Sequence, residues 1–303
     1  MIKPEPFSIR KTSVSLRNGY SVGEFFAMGC PCQILMETSD KQLAEQLTNH
    51  TRDEAWRLEA LWSRYLSTSF IEQLNRKPNK AISVDGETAA ILNYCEELWR
   101  LSDGSFDITS GVLREAWTFD GGTHVPEPDV VAKILERVGW DKVIWNNDRL
   151  QMQIGMQIDF GGVGKEYAVD LCCRRLIAAT DISCLVNFGG DCAATREPVQ
   201  REGWGIGIES ADQAGQATNI LQLKNGAVAT SGNSHRFVLH QGKRLSHILD
   251  ARTGWPVVDA PRSITVAADT CLQAGMFATL ACLHGSDASA FLDQEDVKHW
   301  VQV

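Results

Sequence analysis

Residues 159–170 read DFGGVGKEYAVD. Three glycines stand between an aspartate and a lysine, and an apolar run resumes directly after them. Glycine-rich turns that enter helices are places where main-chain N–H groups hold phosphate. The two nucleotide signatures of this kind do not fit. A dinucleotide fingerprint is GxGxxG after a strand, and a phosphate loop is GxxxxGK followed by Ser or Thr. Here Lys165 is followed by Glu166, and no glycine stands five residues before Gly164. The plain alternative is a tight strand-to-helix turn with Lys165 and Glu166 in solvent.

Working outward, "EYAVDLCCRRLIAAT" reads as a helix and "CLVNFGGD" as a buried strand ending in a glycine pair. Upstream, residues 39–75 keep helical spacing through Leu43, Leu47, Ala55, Leu58 and Trp62, behind a possible cap at Ser39 or Asp40. A second helix runs up to Gly104 and a third lies between Pro126 and Gly139, followed by strand-like stretches at 142–145 and 149–158. The C-terminal half is strand-rich, with one closing helix in "CLQAGMFATLACLHG". Helices and strands mixed without βαβ alternation predict an α+β fold, not a doubly wound sheet.

At 303 residues and 44% hydrophobic content the chain has enough apolar material for a sizeable core. A formal net charge of −9, from 29 Lys+Arg against 38 Asp+Glu, argues against nucleic acid as a partner. The opening "MIKPEPFSIRKTSVSLRNGY" has no apolar signal region, and no run is long enough to span a membrane. Nine scattered cysteines, among them Cys30 and Cys32 around Pro31, read as reduced thiols. The expected location is the cytoplasm.

Three loops are dense in polar groups: "SDGSFDIT" (102–109), "VATSGNSHR" (228–236) and "LSHILDARTGWP" (245–256). A lone histidine such as His247 is more often structural than catalytic. Several such loops in one chain shift that balance, since binding residues concentrate on loops.

The ordered set "MGCPCQI", "SRYLSTSFIEQLN", "DGSFDIT", "DFGGVGKEYAVD", "VNFGGD", "WGIGI", "VATSGNSHR", "SHILDARTG" and "SITVAAD…ATLACLHG" resembles the ApbE family, the FAD:protein FMN transferases. It spans residues 22 to 290 or thereabouts. The resemblance implies one compact α+β domain over 22–303, T-fold-like, with antiparallel sheets and flanking helices, preceded by an extension at 1–21. It also implies Mg²⁺-dependent transfer of FMN from FAD to a Thr or Ser hydroxyl of a target flavoprotein, with AMP released.

Carried over by that resemblance, Asp159 and Lys165 belong to the FAD site and the Gly162 carbonyl is a metal ligand. Met28 and Tyr65 contact the flavin, as a thioether and an aromatic face suit a flat ring. Ser105, Phe106 and Asp107 match a cofactor-contact loop and Leu249 an apolar FAD contact. His247 is the candidate for deprotonating or orienting the hydroxyl. Trp117 matches an aromatic position that packing also explains.

One position departs. The family's last helix reads approximately A-D-A-x-A-T, whose Asp and Thr share a helical face and hold the metal. Here the stretch is Ala274 to Thr279 with Gly275 at the acid's position. Three outcomes follow: a nearby acid substitutes (Asp191 or Asp269), the substrate phosphates hold the metal alone, or the protein binds FAD without efficient transfer. Hydrolysis of FAD to FMN and AMP is a further alternative.

Overall fold

The structure is a computed structural model that describes residues 10–77, 79–213, 215–232 and 236–303. Most of the N-terminal extension (1–9) and residues 233–235 of the 228–236 loop lie outside the described residues.

Eight strands form one sheet: β1 (Ser13–Arg17), β2 (Tyr20–Ala27), β3 (Cys30–Met36), β4 (Cys184–Phe188), β5 (Asp191–Ala194), β6 (Gly226–Gly232), β7 (Ser263–Ala268) and β8 (Lys298–Gln302). Each pairs antiparallel with its neighbours in that same order. The sheet is therefore a meander whose connections carry the rest of the molecule. The α+β expectation holds, and residues 13–17 of the N-terminal extension form an edge strand.

The longest insertion, between β3 and β4, supplies α1 (Lys41–Trp62), α2 (Phe70–Asn75), α3 (Gly86–Leu101), α4 (Pro128–Leu135) and α5 (Gly164–Ala179). After β7 comes α6 (Cys271–Leu283), then α7 (Ala288–Gln294). Helices α1, α5 and α6 cover one face of the sheet. Cys184, Val186 and Phe188 of β4 point into that main core, while Leu185 points to the opposite face with Trp204 and Leu223. This is the period-2 alternation of a strand buried on both sides.

The single helical pattern over 39–75 breaks in two. Helix α1 starts on the Asp40 carboxylate, which accepts from the Gln42 and Leu43 N–H groups, and stops at Ser63 in extended conformation. The Ser69 side chain then caps α2. The break delivers Arg64 and Tyr65 to a cavity. The strand expected over 149–158 is only Arg149–Gln151, because the chain turns at Gly155, whose φ is 83°. Helices α3 and α4 end a few residues inside the predicted limits.

Helix α6 is started by α5. The Asp170 carboxylate accepts from the main-chain N–H groups of Cys271 (2.8 Å) and Leu272 (2.9 Å), while the Thr270 hydroxyl caps Gln273. A carboxylate at a helix N-terminus meets both its unpaired N–H groups and its dipole. Residues four apart share a helix face, so Glu166, one turn before Asp170, also faces α6.

Candidate functional site

A cavity of about 1210 Å³ opens where β2, the Ser63–Tyr65 break and the glycine turn meet. Met28, Tyr65, Asp159 and Lys165 all line it.

The turn is built by main-chain bonds from Val163 N–H and Gly164 N–H to the Phe160 carbonyl, and by the Gly161 N–H donating to Asp159 Oδ1 at 3.0 Å. No side chain caps the N-terminus of α5; the Gly164 N–H is taken by Phe160, and the Lys165 N–H that follows makes no main-chain bond among the described residues and can meet a ligand. Gly162 is exposed, and the Phe106 ring lies 3.5 Å from where its Cβ would stand. Phe106 is thus the member of the 105–107 trio that packs on the turn.

Asp159 organises cations. Its Oδ2 accepts from Arg64 at 3.0 Å and lies 3.1 Å from Arg114. Arg114 also donates to the Tyr65 hydroxyl. Lys165 pairs with Asp191, whose other oxygen accepts from the Thr230 N–H at 3.2 Å. Burial pulls the Lys165 pKa down, but the Asp191 and Glu166 carboxylates outweigh it and leave it raised, so the ammonium stays charged.

Neither Lys165 nor Glu166 is a solvated surface residue, as the plain turn reading required. Glu166 is 8% exposed, and burial together with the neighbouring Asp191 charge raises its carboxyl to about 8. The reason lies across the helix pair: a Cβ on Gly275 would come within 2.7 Å of Glu166 Cγ. The carboxyl side chain occupies the space that a side chain at 275 would need.

Met28 sits at φ 51°, held by its N–H donating to Glu59 Oε2 at 2.8 Å. Its Cε would touch a Cβ on Gly164 at 3.8 Å, so Gly164 gives the thioether access to the turn. Tyr65 is half-exposed at the cavity mouth.

The remaining predicted residues stand back from the cavity wall. Asp107 is buried, and its carboxylate accepts from the Thr109 N–H (2.7 Å), the Thr109 hydroxyl (2.6 Å) and the Trp140 N–H (2.7 Å). Its oxygens are spent on shaping the loop. The Ser105 hydroxyl donates to the Ser102 carbonyl at 2.9 Å, and the Ser105 carbonyl accepts from Ala251 N–H at 3.0 Å, tying the two polar loops together. Leu249 packs in a satellite core with Trp117, whose indole N–H donates to the Gly254 carbonyl. Trp117 is a packing residue. The Thr279 hydroxyl is 3.1 Å from that of Ser231.

His247 stacks edge-on to Phe119 at 6.3 Å. Burial, then the positive charges of Arg236 and Arg114, lower its pKa to about 4 despite a main-chain hydrogen bond with Arg236. Its Nδ1 is buried without a hydrogen-bond partner among the described residues. Arg236 and Arg114 both line the cavity, and the main-chain hydrogen bond with Arg236 makes His247 a neighbour of one lining residue.

Sequence reasoning missed Arg64, Arg114, Arg236, Glu59 and Glu166. Arg64 and Arg236 stand inside quoted motifs and Arg114 does not, but in any case a surface arginine and a cavity arginine look alike in one sequence.

The profile of the ApbE family matches residues 28–301. The FAD:protein FMN transferase of Haemophilus influenzae is 26% identical over 241 residues, 75% of this chain and 69% of that protein. The ApbE protein of Thermotoga maritima superposes with a TM-score of 0.83 at 27% identity, over 93% of this chain and 94% of the other. The flavinyl transferase ApbE of Pseudomonas stutzeri does so at 0.80 and 25%, over 96% and 91%.

Proposed function

We propose, because this chain belongs to the ApbE family, that it transfers FMN from FAD to a threonine or serine hydroxyl of a protein acceptor and releases AMP. The observation that carries this reading is the glycine turn: an uncapped helix N-terminus, a bare main chain and a charged lysine on one wall of a large cavity. Backbone N–H groups, helix dipole and Lys165 together suit a diphosphate. The apolar Met28 and the aromatic Tyr65 on the neighbouring wall suit the flavin ring.

In the transfer, the acceptor oxygen forms a bond to the FMN phosphorus. The bond from that phosphorus to the bridging oxygen breaks, and AMP leaves with that oxygen. Such a reaction needs charge neutralisation and alignment more than covalent help. Lys165 would offset charge on the diphosphate, and Arg64 and Arg114, fixed by Asp159, would hold the remaining anionic groups in register. His247 is the proposed proton acceptor: it is neutral near pH 7, its N–H is engaged by the Arg236 main chain, and Nδ1 keeps its lone pair. Magnesium, when bound, would supply further charge neutralisation, with the Gly162 carbonyl and Thr279 hydroxyl as proposed ligands. Ser105, Asp107 and Leu249 would act by shaping the loops around the cofactor. Nine free thiols support a reducing compartment such as the cytoplasm. Among the described residues no helix is long and apolar enough to cross a membrane.

The test is incubation with FAD, Mg²⁺ and a threonine-bearing acceptor, following AMP and protein-bound flavin. Transfer gives both in equal amounts. AMP without bound flavin would replace transfer by hydrolysis, and neither product would leave a flavin-binding protein.

A further inference from the structure

Helices α5 and α6 meet around a buried carboxylate with one oxygen left unpaired. Glu166 is 8% exposed, and its Oε2 has no hydrogen-bond partner among the described residues. The other acids nearby are committed. Asp170 spends both oxygens on the N-terminus of α6, and Asp191 spends its own on Lys165 and the Thr230 N–H. Asp269 is exposed. Since Lys165 is paired directly with Asp191, its charge only partly offsets the burial of an ionised Glu166, a costly arrangement unless a further cation arrives.

The position of that carboxylate is set by Gly275. The helix presents no Cβ there, and Glu166 Cγ and Cδ lie 2.7 and 3.2 Å from where one would be. Thr279 follows Gly275 by four residues, on the same face of α6, and its hydroxyl is turned toward Ser231 of β6. The carboxylate beside Gly275 and the hydroxyl one helical turn further along α6 thereby share one face of that helix, and the carboxylate belongs to the first turn of the helix whose N-terminus lines the cavity.

Resting on the flavin reading above, we propose that Glu166 is the anionic protein ligand of a hard divalent cation, Mg²⁺ or Mn²⁺, and that Gly275 provides the clearance for it. Among the described residues no three His, Cys, Asp or Glu side chains gather as a metal cage. That suits Mg²⁺, which is commonly held by one or two carboxylates together with substrate phosphates and water. The acid expected at residue 275, or at Asp191 or Asp269, is instead delivered from α5.

The experiment compares the parent with Glu166→Gln, Gly275→Asp and the exchanged pair Glu166→Gly with Gly275→Asp. FAD affinity is measured by flavin fluorescence in metal-free buffer, and MgCl₂ is titrated calorimetrically into each FAD-saturated protein. Glu166→Gln, of the same shape, should weaken Mg²⁺ at least tenfold, leave metal-free FAD affinity within about twofold, and abolish the rise in Tm that Mg²⁺ gives the parent. Gly275→Asp alone should lower Tm and fail to tighten Mg²⁺, because its side chain overlaps Glu166. The exchanged pair should return Mg²⁺ affinity to within a few-fold of the parent. Parent-like Mg²⁺ binding by Glu166→Gln would overturn the proposal, as would a parent that binds FAD but no Mg²⁺. A parent that binds no FAD would remove the flavin reading instead, and the same comparison with inorganic pyrophosphate in place of FAD then decides the role of Glu166.

Discussion

The carboxylate of Glu59 joins Met28 to Arg10: one oxygen accepts the Met28 N–H at 2.8 Å and the Arg10 guanidinium at 2.6 Å, while the other accepts Arg10 again at 2.9 Å. Both charged side chains are almost completely buried. The pair holds a non-glycine residue at positive φ on the cavity wall. Glu59→Gln leaves the guanidinium buried beside a neutral amide, and removing one partner of a buried pair typically costs about 3–5 kcal/mol. Urea unfolding should show a lower midpoint with unchanged slope, and flavin affinity should fall because Met28 loses its anchor.

Lys165→Ala should separate the two halves of the ligand. FAD affinity is expected to drop tenfold or more, about 1.4 kcal/mol, whereas riboflavin, which has no diphosphate, should bind within about twofold of the parent. Fluorescence titration with both ligands checks this. Equal losses for the two would place Lys165 away from the diphosphate.

His247 sets a pH signature. With a folded pKa of about 4 against an ordinary 6.5, it is neutral in the folded chain where the unfolded chain already carries the proton. The unfolded state therefore binds more protons between about pH 4 and 6.5, and stability contributed by this group rises with pH across that window and is lost as pH falls through it. Transfer activity should show no His247 limb between pH 5 and 8. His247→Ala should lower the transfer rate by ~10²-fold or more while FAD affinity stays within a few-fold. Stopped-flow transfer at several pH values reads both.

Cys30 and Cys32 lie on the same side of β3 with sulfurs 3.9 Å apart, but only Cys30 lines the cavity. The hydrogen bond from Cys32 lowers the Cys30 thiol pKa against the opposing effect of burial, whereas Cys32 is pushed far up by burial. Brief treatment with iodoacetamide should alkylate Cys30 first, with the other thiols slower, and FAD should protect it. Peptide mass mapping gives the order of modification.

Local chemistry explains what the sequence made legible. The turn at 159–164, the cap at Asp40 and the buried strand β4 each depend on neighbours along the chain, so they could be read from a window of residues. Arg64 and Arg114 are cavity residues only because Asp159 reaches both from another segment. Asp107 looked like a ligand and is a loop brace, since nothing local says that Trp140 donates to it. Gly275 read as a missing acid because its partner, Glu166, belongs to a different helix. A lost side chain and its replacement are visible together only once α5 and α6 are packed.

Among the described residues the cavity wall carries six cationic side chains against three carboxylates, inside a chain whose formal net charge is −9. A dianionic dinucleotide meets opposing fields in sequence. At long range the whole molecule repels it, and within a Debye length, about 10 Å at 0.1 M salt, the wall attracts it. Salt acts on these stages with opposite signs, easing the approach and loosening the grip. Slow capture followed by a firm grip is the kinetic pattern these fields favour, and a protein acceptor with a basic face would be drawn to the molecule as a whole but turned away from the cavity wall itself.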